Sequence, residues 1–322
     1  MKPILEIKDL KKHYPVKKGL FGRVSGTAKA VDGISLTIDK GETFAIVGES
    51  GSGKTTLGKT LLRLIEPTSG SIFFNGTDIT ELGAEPMRKL KTDMQIVFQD
   101  PYGSLDPKWT IRRTLEEPLR THYSLPAQAI TEKVDHILEV VGLTPQHALR
   151  FPYELSGGQR QRVGIARALI LEPKFIVFDE PVSALDVSIQ AQVLTLLQDL
   201  QSRLSLTYLF VSHDLSVVRY ISDHVGVMYL GKMMEVGPTE ALFSKPLHPY
   251  TQALISAIPQ SDPDKRSERI VLSGEVPSPR NPPSGCVFHT RCPHAMPQCR
   301  TIQPEWQQIS EDRYTACHLY NN

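Results

Sequence analysis

The segment Gly48-Glu49-Ser50-Gly51-Ser52-Gly53-Lys54-Thr55 lies between the apolar run Phe44-Ala45-Ile46-Val47 and a helical pattern over Thr56 to Ile65. Strand, glycine-rich turn and helix in that order restrict the chain to an α/β architecture in which a phosphate loop opens a helix. Glycines let the backbone wrap tightly, N–H groups converge on phosphate oxygens, and the helix start adds a positive dipole end. In such a loop Lys54 bridges the β- and γ-phosphates, Thr55 offers its hydroxyl to Mg²⁺, and Thr56 reaches a phosphate further out. The pattern points to a nucleoside triphosphate as ligand.

A second apolar run, Phe175-Ile176-Val177-Phe178, ends in Asp179-Glu180 at the C-terminal edge of a strand, where α/β sheets gather ligands. An isolated pair of acids there would simply cap the next helix. Downstream of a phosphate loop they take separate roles: Asp179 holds the hydration shell of Mg²⁺, and Glu180 is free to polarise an attacking water.

Between these sites, Leu155-Ser156-Gly157-Gly158-Gln159 leads into a helical pattern over Arg160 to Leu169, with Ser156 as the candidate N-cap. This pentapeptide resembles the signature of the ATP-binding-cassette family, another helix start suited to a γ-phosphate. The resemblance implies a phosphate-loop NTPase of cassette type, with a β-rich ATP-binding lobe, a RecA-like core and a helical subdomain. It also implies a head-to-tail dimer, in which Ser156, Gly157, Gly158 and Gln159 of one cassette close over the phosphate loop of the other with ATP between them. Other family elements follow in order. Tyr14 matches the aromatic that stacks on adenine, Gln99 the glutamine that senses Mg²⁺ and water, Asp186 the cross-subunit loop, and His213 the switch histidine at the γ-phosphate. No catalytic position departs from the pattern, which implies a hydrolysing cassette.

Residues 1 to about 90 read as the β-rich lobe, with strands over Leu5 to Leu10, Ile34 to Ile38, Phe44 to Val47 and Ser71 to Phe74. Trp109 to Arg150 is helical in pattern, with Gly142 as a C-cap, and the helical subdomain is expected at about residues 100–170. The turn-rich entry Gln99 to Pro107 suits a hinge. After Asp186, the residues Ile189, Val193, Leu196, Leu200 and Leu204 form an apolar stripe expected to face the core.

The cassette is complete by about residue 237, and a proline-rich extension occupies 238–322. It holds all four cysteines, Cys286, Cys292, Cys299 and Cys317. Their spacing lacks the two-residue Cys separation of zinc ribbons and knuckles and leaves three readings open: an iron–sulfur cluster, zinc, or unliganded thiols. This tail resembles that of oligopeptide and dipeptide importer ATPases, in some of which a four-iron four-sulfur cluster is known.

The likeness is to the F-type ATPase subunit of those importers. It implies a paralogous ATPase as partner, two transmembrane permeases, and an extracytoplasmic peptide-binding protein acting through them. Nickel and glutathione importers share this cassette type, so cargo stays open. Lys and Arg number 36 against 35 Asp and Glu, a net charge of +1 that provides no electrostatic ground for a nucleic-acid partner. No apolar run approaches the ~20 residues that span a bilayer, and the expected location is peripheral, on the cytoplasmic face of the inner membrane. A soluble cassette of DNA repair or translation is the rival reading. Repair cassettes insert long coiled coils between phosphate loop and signature, and translation cassettes occur in pairs on one chain. Neither pattern occurs in this sequence.

Overall fold

The computed structural model describes residues 3–18, 23–259 and 269–320. In chain order the elements begin with β1 (Leu5–Lys18), β2 (Arg23–Ile38), β3 (Thr43–Val47), α1 (Lys54–Leu61), β4 (Ser69–Phe74) and β5 (Thr77–Asp78). They continue with α2 (Ala84–Leu90), β6 (Met94–Val97), α3 (Ile111–His122), α4 (Ala127–Val140), α5 (Gly157–Leu169), β7 (Phe175–Asp179) and α6 (Val187–Leu204). The chain ends with β8 (Thr207–Val211), α7 (Leu215–Ile221), β9 (His224–Tyr229), β10 (Lys232–Pro238), α8 (Thr239–Ser244), α9 (Pro249–Ser256), β11 (Gln307–Ser310) and β12 (Arg313–Thr315). These elements form two compact units. One is built mainly from Glu81–Phe210, and the other from Leu5–Ile38, Glu42–Thr80 and Val211–Asn322.

In the first unit the strands run in the order β8-β7-β6, with β6 and β7 parallel and Met94 opposite Phe175. All five residues of β7 and of β8 are buried, which matches their unbroken apolar runs and the two-sided burial of parallel strands. The Phe178 ring meets Tyr208 edge-on at 4.9 Å, and the Tyr208 hydroxyl donates to the Leu197 carbonyl at 3.1 Å, so the buried phenol is satisfied. The helical segment divides into α3 and α4. Thr110 caps α3 by accepting from the Arg113 N–H, and Gly142, at φ +75°, follows the end of α4 as expected of a C-cap.

On α6 the buried residues are Val193, Leu194, Leu197 and Leu200. The stripe expected from the sequence is thus only partly right: Leu196 is half-buried and Leu204 is 49 % exposed. Leu196 and Leu197 sit one residue, or about 100°, apart on a helix, and the packing partners choose Leu197.

In the second unit an antiparallel sheet runs β2-β1-β4-β5. Its hairpin is far longer than the apolar runs suggested, because the polar residues after Leu10 still pair through their backbones: Tyr14 stands opposite Ala28. A second sheet runs β11-β12-β10-β9-β3, with β3 parallel to β9. The C-terminal extension is stitched to it where Thr315 of β12 pairs with Glu235 of β10. The fully buried Glu235 carboxylate accepts from the Leu247 and His248 N–H groups and from Arg313, at 2.9, 2.8 and 3.1 Å, which compensates its desolvation. No helix among the described residues is long and apolar enough to cross a membrane.

Candidate functional site: a phosphate loop and a paired-carboxylate strand end

In the second unit β3 is wholly buried and delivers the chain to Gly48. Two glycines make the turn possible. Gly48 (φ +152°) and Gly53 (φ +104°) both lie in backbone regions that favour glycine, and a Cβ at either would collide with a carbonyl oxygen, of Met228 or of Ala30. Gly53 is the left-handed N-cap of α1, whose first turn carries no acidic side chain to compete for an anion. Lys54 is 5 % exposed, and its ammonium donates to the carbonyls of Gly48 at 2.8 Å and Glu49 at 3.1 Å, curling the charge into the loop. The Ser52 N–H donates to the Glu49 carbonyl at 3.1 Å. Thr55 and Thr56 occupy the next two positions of α1.

Tyr14, on β1 of the same unit, is 37 % exposed, with the Lys12 ammonium 5.1 Å from its ring centroid. His213 is exposed just after β8, and its neighbour Asp214 caps α7 by accepting from the Ser216 and Val217 N–H groups.

In the first unit β7 ends on Asp179, which is 4 % exposed, and Glu180 follows with φ +49°, a left-handed conformation uncommon for a non-glycine residue. Such a backbone persists where surrounding bonds over-determine it. Here the Gln99 amide donates to the Glu180 carboxylate at 2.9 Å, and the Ser183 hydroxyl donates to the Glu180 carbonyl at 3.0 Å. Gln99 and Glu180, 81 residues apart in sequence, are thus brought together.

The helix α5 opens on a reciprocal cap. The Ser156 hydroxyl accepts from the Gln159 N–H, and the Gln159 side chain accepts from the Ser156 N–H at 2.9 Å. Gly158 must be small, since a Cβ there would press on the Ile189 side chain at 2.5 Å. Asp186 is exposed and stands as the N-cap residue of α6.

The four cysteines are all free. Cys286, Cys299 and Cys317 are buried and Cys292 is half-buried. Burial pushes the Cys286 and Cys317 thiols up to about 11 and raises Cys292, with the neighbouring thiols adding to each shift. The Cys286 N–H donates to the Cys299 carbonyl at 2.9 Å, and the Met296 N–H lies 3.4 Å from the Cys299 sulfur. Among the described residues, no three His, Cys, Asp or Glu side chains are arranged to hold a metal ion.

Two residues at this site carry no motif. Arg291 and Tyr250, both in the C-terminal extension, reach Glu49 of the phosphate loop. A lone basic residue between Cys286 and Cys292 was the only trace in the sequence, and nothing in its spacing pointed to a residue 242 positions earlier.

A phosphate loop opening a helix, a buried Asp-Glu strand end and a capped Ser-Gly-Gly-Gln helix start define an ATP-binding cassette. The comparisons agree: the ABC transporter family matches residues 31–183, and the oligopeptide/dipeptide transporter C-terminal region matches residues 234–299. The chain belongs to the ABC transporter family and is an ATPase of that class. It is 56 % identical over 321 residues to the oligopeptide transport ATP-binding protein AppF of Bacillus subtilis, covering 99 % of this chain and 98 % of that one. It is 53 % identical over 315 residues to a putative peptide import ATP-binding protein of Brucella ovis, covering 98 % and 97 %. Among solved structures it resembles cbiO1 of Clostridium perfringens, part of the ABC transporter complex cbiONQ. That match has a TM-score of 0.66 and 29 % identity, over 76 % of this chain and 92 % of the other. It also resembles the ATP-binding cassette MJ0796 in a dimeric post-hydrolysis state bound to ADP and Pi. There the TM-score is 0.65 and identity 29 %, over 73 % of this chain and 98 % of the other.

Proposed function

We propose that this chain hydrolyses ATP to energise import of di- or oligopeptides through a membrane ABC transporter. The observation that carries the reading is full-length similarity to peptide-transport ATP-binding proteins, with the importer-type region over 234–299 included. It pairs with a related cassette subunit beneath two permeases, on the cytoplasmic face of the membrane, and an extracytoplasmic binding protein supplies the peptide.

In this reading Glu180, held by Gln99, orients a water for in-line attack on the γ-phosphate and accepts its proton. Lys54 turns from the loop carbonyls to the phosphates and offsets the developing charge, and His213 holds the reacting geometry. Thr55, Gln99 and Asp179 offer only hard oxygen donors, which suit Mg²⁺, and these residues would hold it. Mg²⁺ supplies charge neutralisation on the phosphate oxygens. Tyr14 stacks on the adenine. Gly48 to Thr56 cradle the phosphates, while Ser156 to Gln159 and Asp186 serve the partner cassette's nucleotide.

Cys286, Cys292, Cys299 and Cys317 are the ligand set we assign to a four-iron four-sulfur cluster. That assignment rests on the soft thiol chemistry and on the tail's resemblance to importer ATPases, since among the described residues no three of these side chains stand together as a ligand set. The test is affinity purification from gently solubilised membranes under anaerobic conditions, with partners identified by mass spectrometry and iron and sulfide assayed in the same sample. Peptide-type permeases are expected, with about four irons per chain. Ribosomal or DNA-bound partners would overturn the importer reading, and an iron-free sample would overturn the cluster.

A further inference from the structure

Glu49 is gripped twice from the C-terminal extension. The Arg291 guanidinium makes a two-pronged ion pair with its carboxylate, at 2.7 and 3.1 Å, and the Tyr250 hydroxyl accepts from its backbone N–H at 2.9 Å. Both partners are themselves immobilised. Tyr250 is fully buried in an aromatic cluster, 4.8 Å from Tyr229 and 5.2 Å from Phe288 between ring centroids. Arg291 is 8 % exposed, lies 5.9 Å from the Tyr229 ring centroid, and has its own N–H bonded to the Phe288 carbonyl. Two-pronged arginine–carboxylate pairs fix direction as well as distance.

Glu49 is not a passive member of the loop. Its carbonyl accepts from the Lys54 ammonium and from the Ser52 N–H, so holding Glu49 at both ends sets the platform from which Lys54 acts. We propose that Arg291 and Tyr250 are positioning residues for the nucleotide site, by which the cysteine-bearing tail presets the phosphate loop for ATP. Arg291 lies directly before Cys292, and its loop starts at Cys286, whose N–H is tied to the Cys299 carbonyl. The inference depends on nucleotide binding alone and stands whatever the cargo.

A preset loop spares ATP the ordering of the loop on binding, so its loss appears in affinity and not in the chemical step. The experiment measures ATP affinity and steady-state hydrolysis for the full-length chain carrying R291A, R291K, E49Q and the pair R291A/E49Q. R291A is expected to weaken ATP binding about tenfold, within the usual range of coupling between sites, and to raise KM in step. Its kcat at saturating ATP should stay within about twofold, since Arg291 touches no reacting atom. R291K should recover part of the affinity, because a single ammonium cannot make the two-pronged contact. The double variant should be no weaker than the weaker single variant. Unchanged affinity in a folded R291A, a fall confined to kcat, or fully additive losses in the double variant would each overturn the proposal. If R291A does not fold, Y250F, which removes one hydroxyl from the same grip, is read by the same split and the same criteria.

Discussion

The phosphate loop and the signature helix are both glycine-rich helix starts, yet they are secured differently. At Ser156 the cap closes within three residues, Ser156 and Gln159 bonding each other reciprocally. At Glu49 the securing groups come from 201 and 242 residues away, in the C-terminal extension. A locally closed cap forms wherever its helix forms. A loop held from a distant segment is only as ordered as that segment, and so is open to control by it. The two helix starts thus draw their rigidity from different sources, one local and one distant.

The largest effect should come from Glu180→Gln. The amide keeps the shape and the contact to Gln99 but cannot accept a proton. Turnover is expected to fall by about 10²–10⁴, with ATP affinity close to that of the wild type, as read by hydrolysis and direct binding on one sample. Wild-type-like hydrolysis would remove Glu180 from catalysis. Parallel loss of affinity would mean that Glu180 also serves nucleotide binding.

A smaller effect is expected of Ser156→Ala, which deletes the local cap. Loss of an N-cap costs about 1 kcal/mol, or a fall in melting temperature of about 2–4 °C for units of this size. Ser156→Thr should regain most of it. A drop well beyond that range would mean that α5 is secured by more than its own first turn, and the contrast with Glu49 would weaken.

An effect of similar size, seen only as pH falls, is expected in the extension. His248 is fully buried, with its Nδ1 accepting from the Tyr250 N–H, and burial lowers its pKa to about 3. Its unfolded value is about 6.5. Below that pH the unfolded chain takes up a proton that the folded chain refuses, so this contribution is intact above about 6.5 and is lost as pH falls toward 3. His224 works in the opposite sense: its hydrogen bond to Glu42 raises its pKa, and the associated stability is lost as pH rises. The comparison is therefore between wild type and His248→Asn. Between about pH 6 and 5 the variant's stability should vary less steeply with pH, by up to about 1.4 kcal/mol per unit. Equal slopes in denaturant titrations would show that His248 accepts a proton in the folded chain.

Much of the candidate site was legible because its determinants are local. Gly53 must take a left-handed backbone to start α1, Ser156 must find an acceptor's role at the start of α5, and an unbroken apolar run such as Phe175 to Phe178 must be buried on both faces. Each of these requirements is contained in a few consecutive residues. The hydrogen bond between Gln99 and Glu180 joins residues 81 positions apart and was not foreseen.

What the sequence by itself determined, then, is the phosphate-loop class, the order of its motifs and the conformations of its turns, because backbone sterics and capping act over a handful of residues. Only the tertiary structure decided three other things. It extended the hairpin of β1 and β2 through polar residues, since a strand's length depends on finding a partner's N–H and C=O groups. It turned α6 onto Val193, Leu197 and Leu200, leaving Leu204 exposed, since adjacent apolar residues are distinguished only by what packs against them. And it set Arg291 and Tyr250 on Glu49, a contact between distant parts of the chain that no local preference encodes.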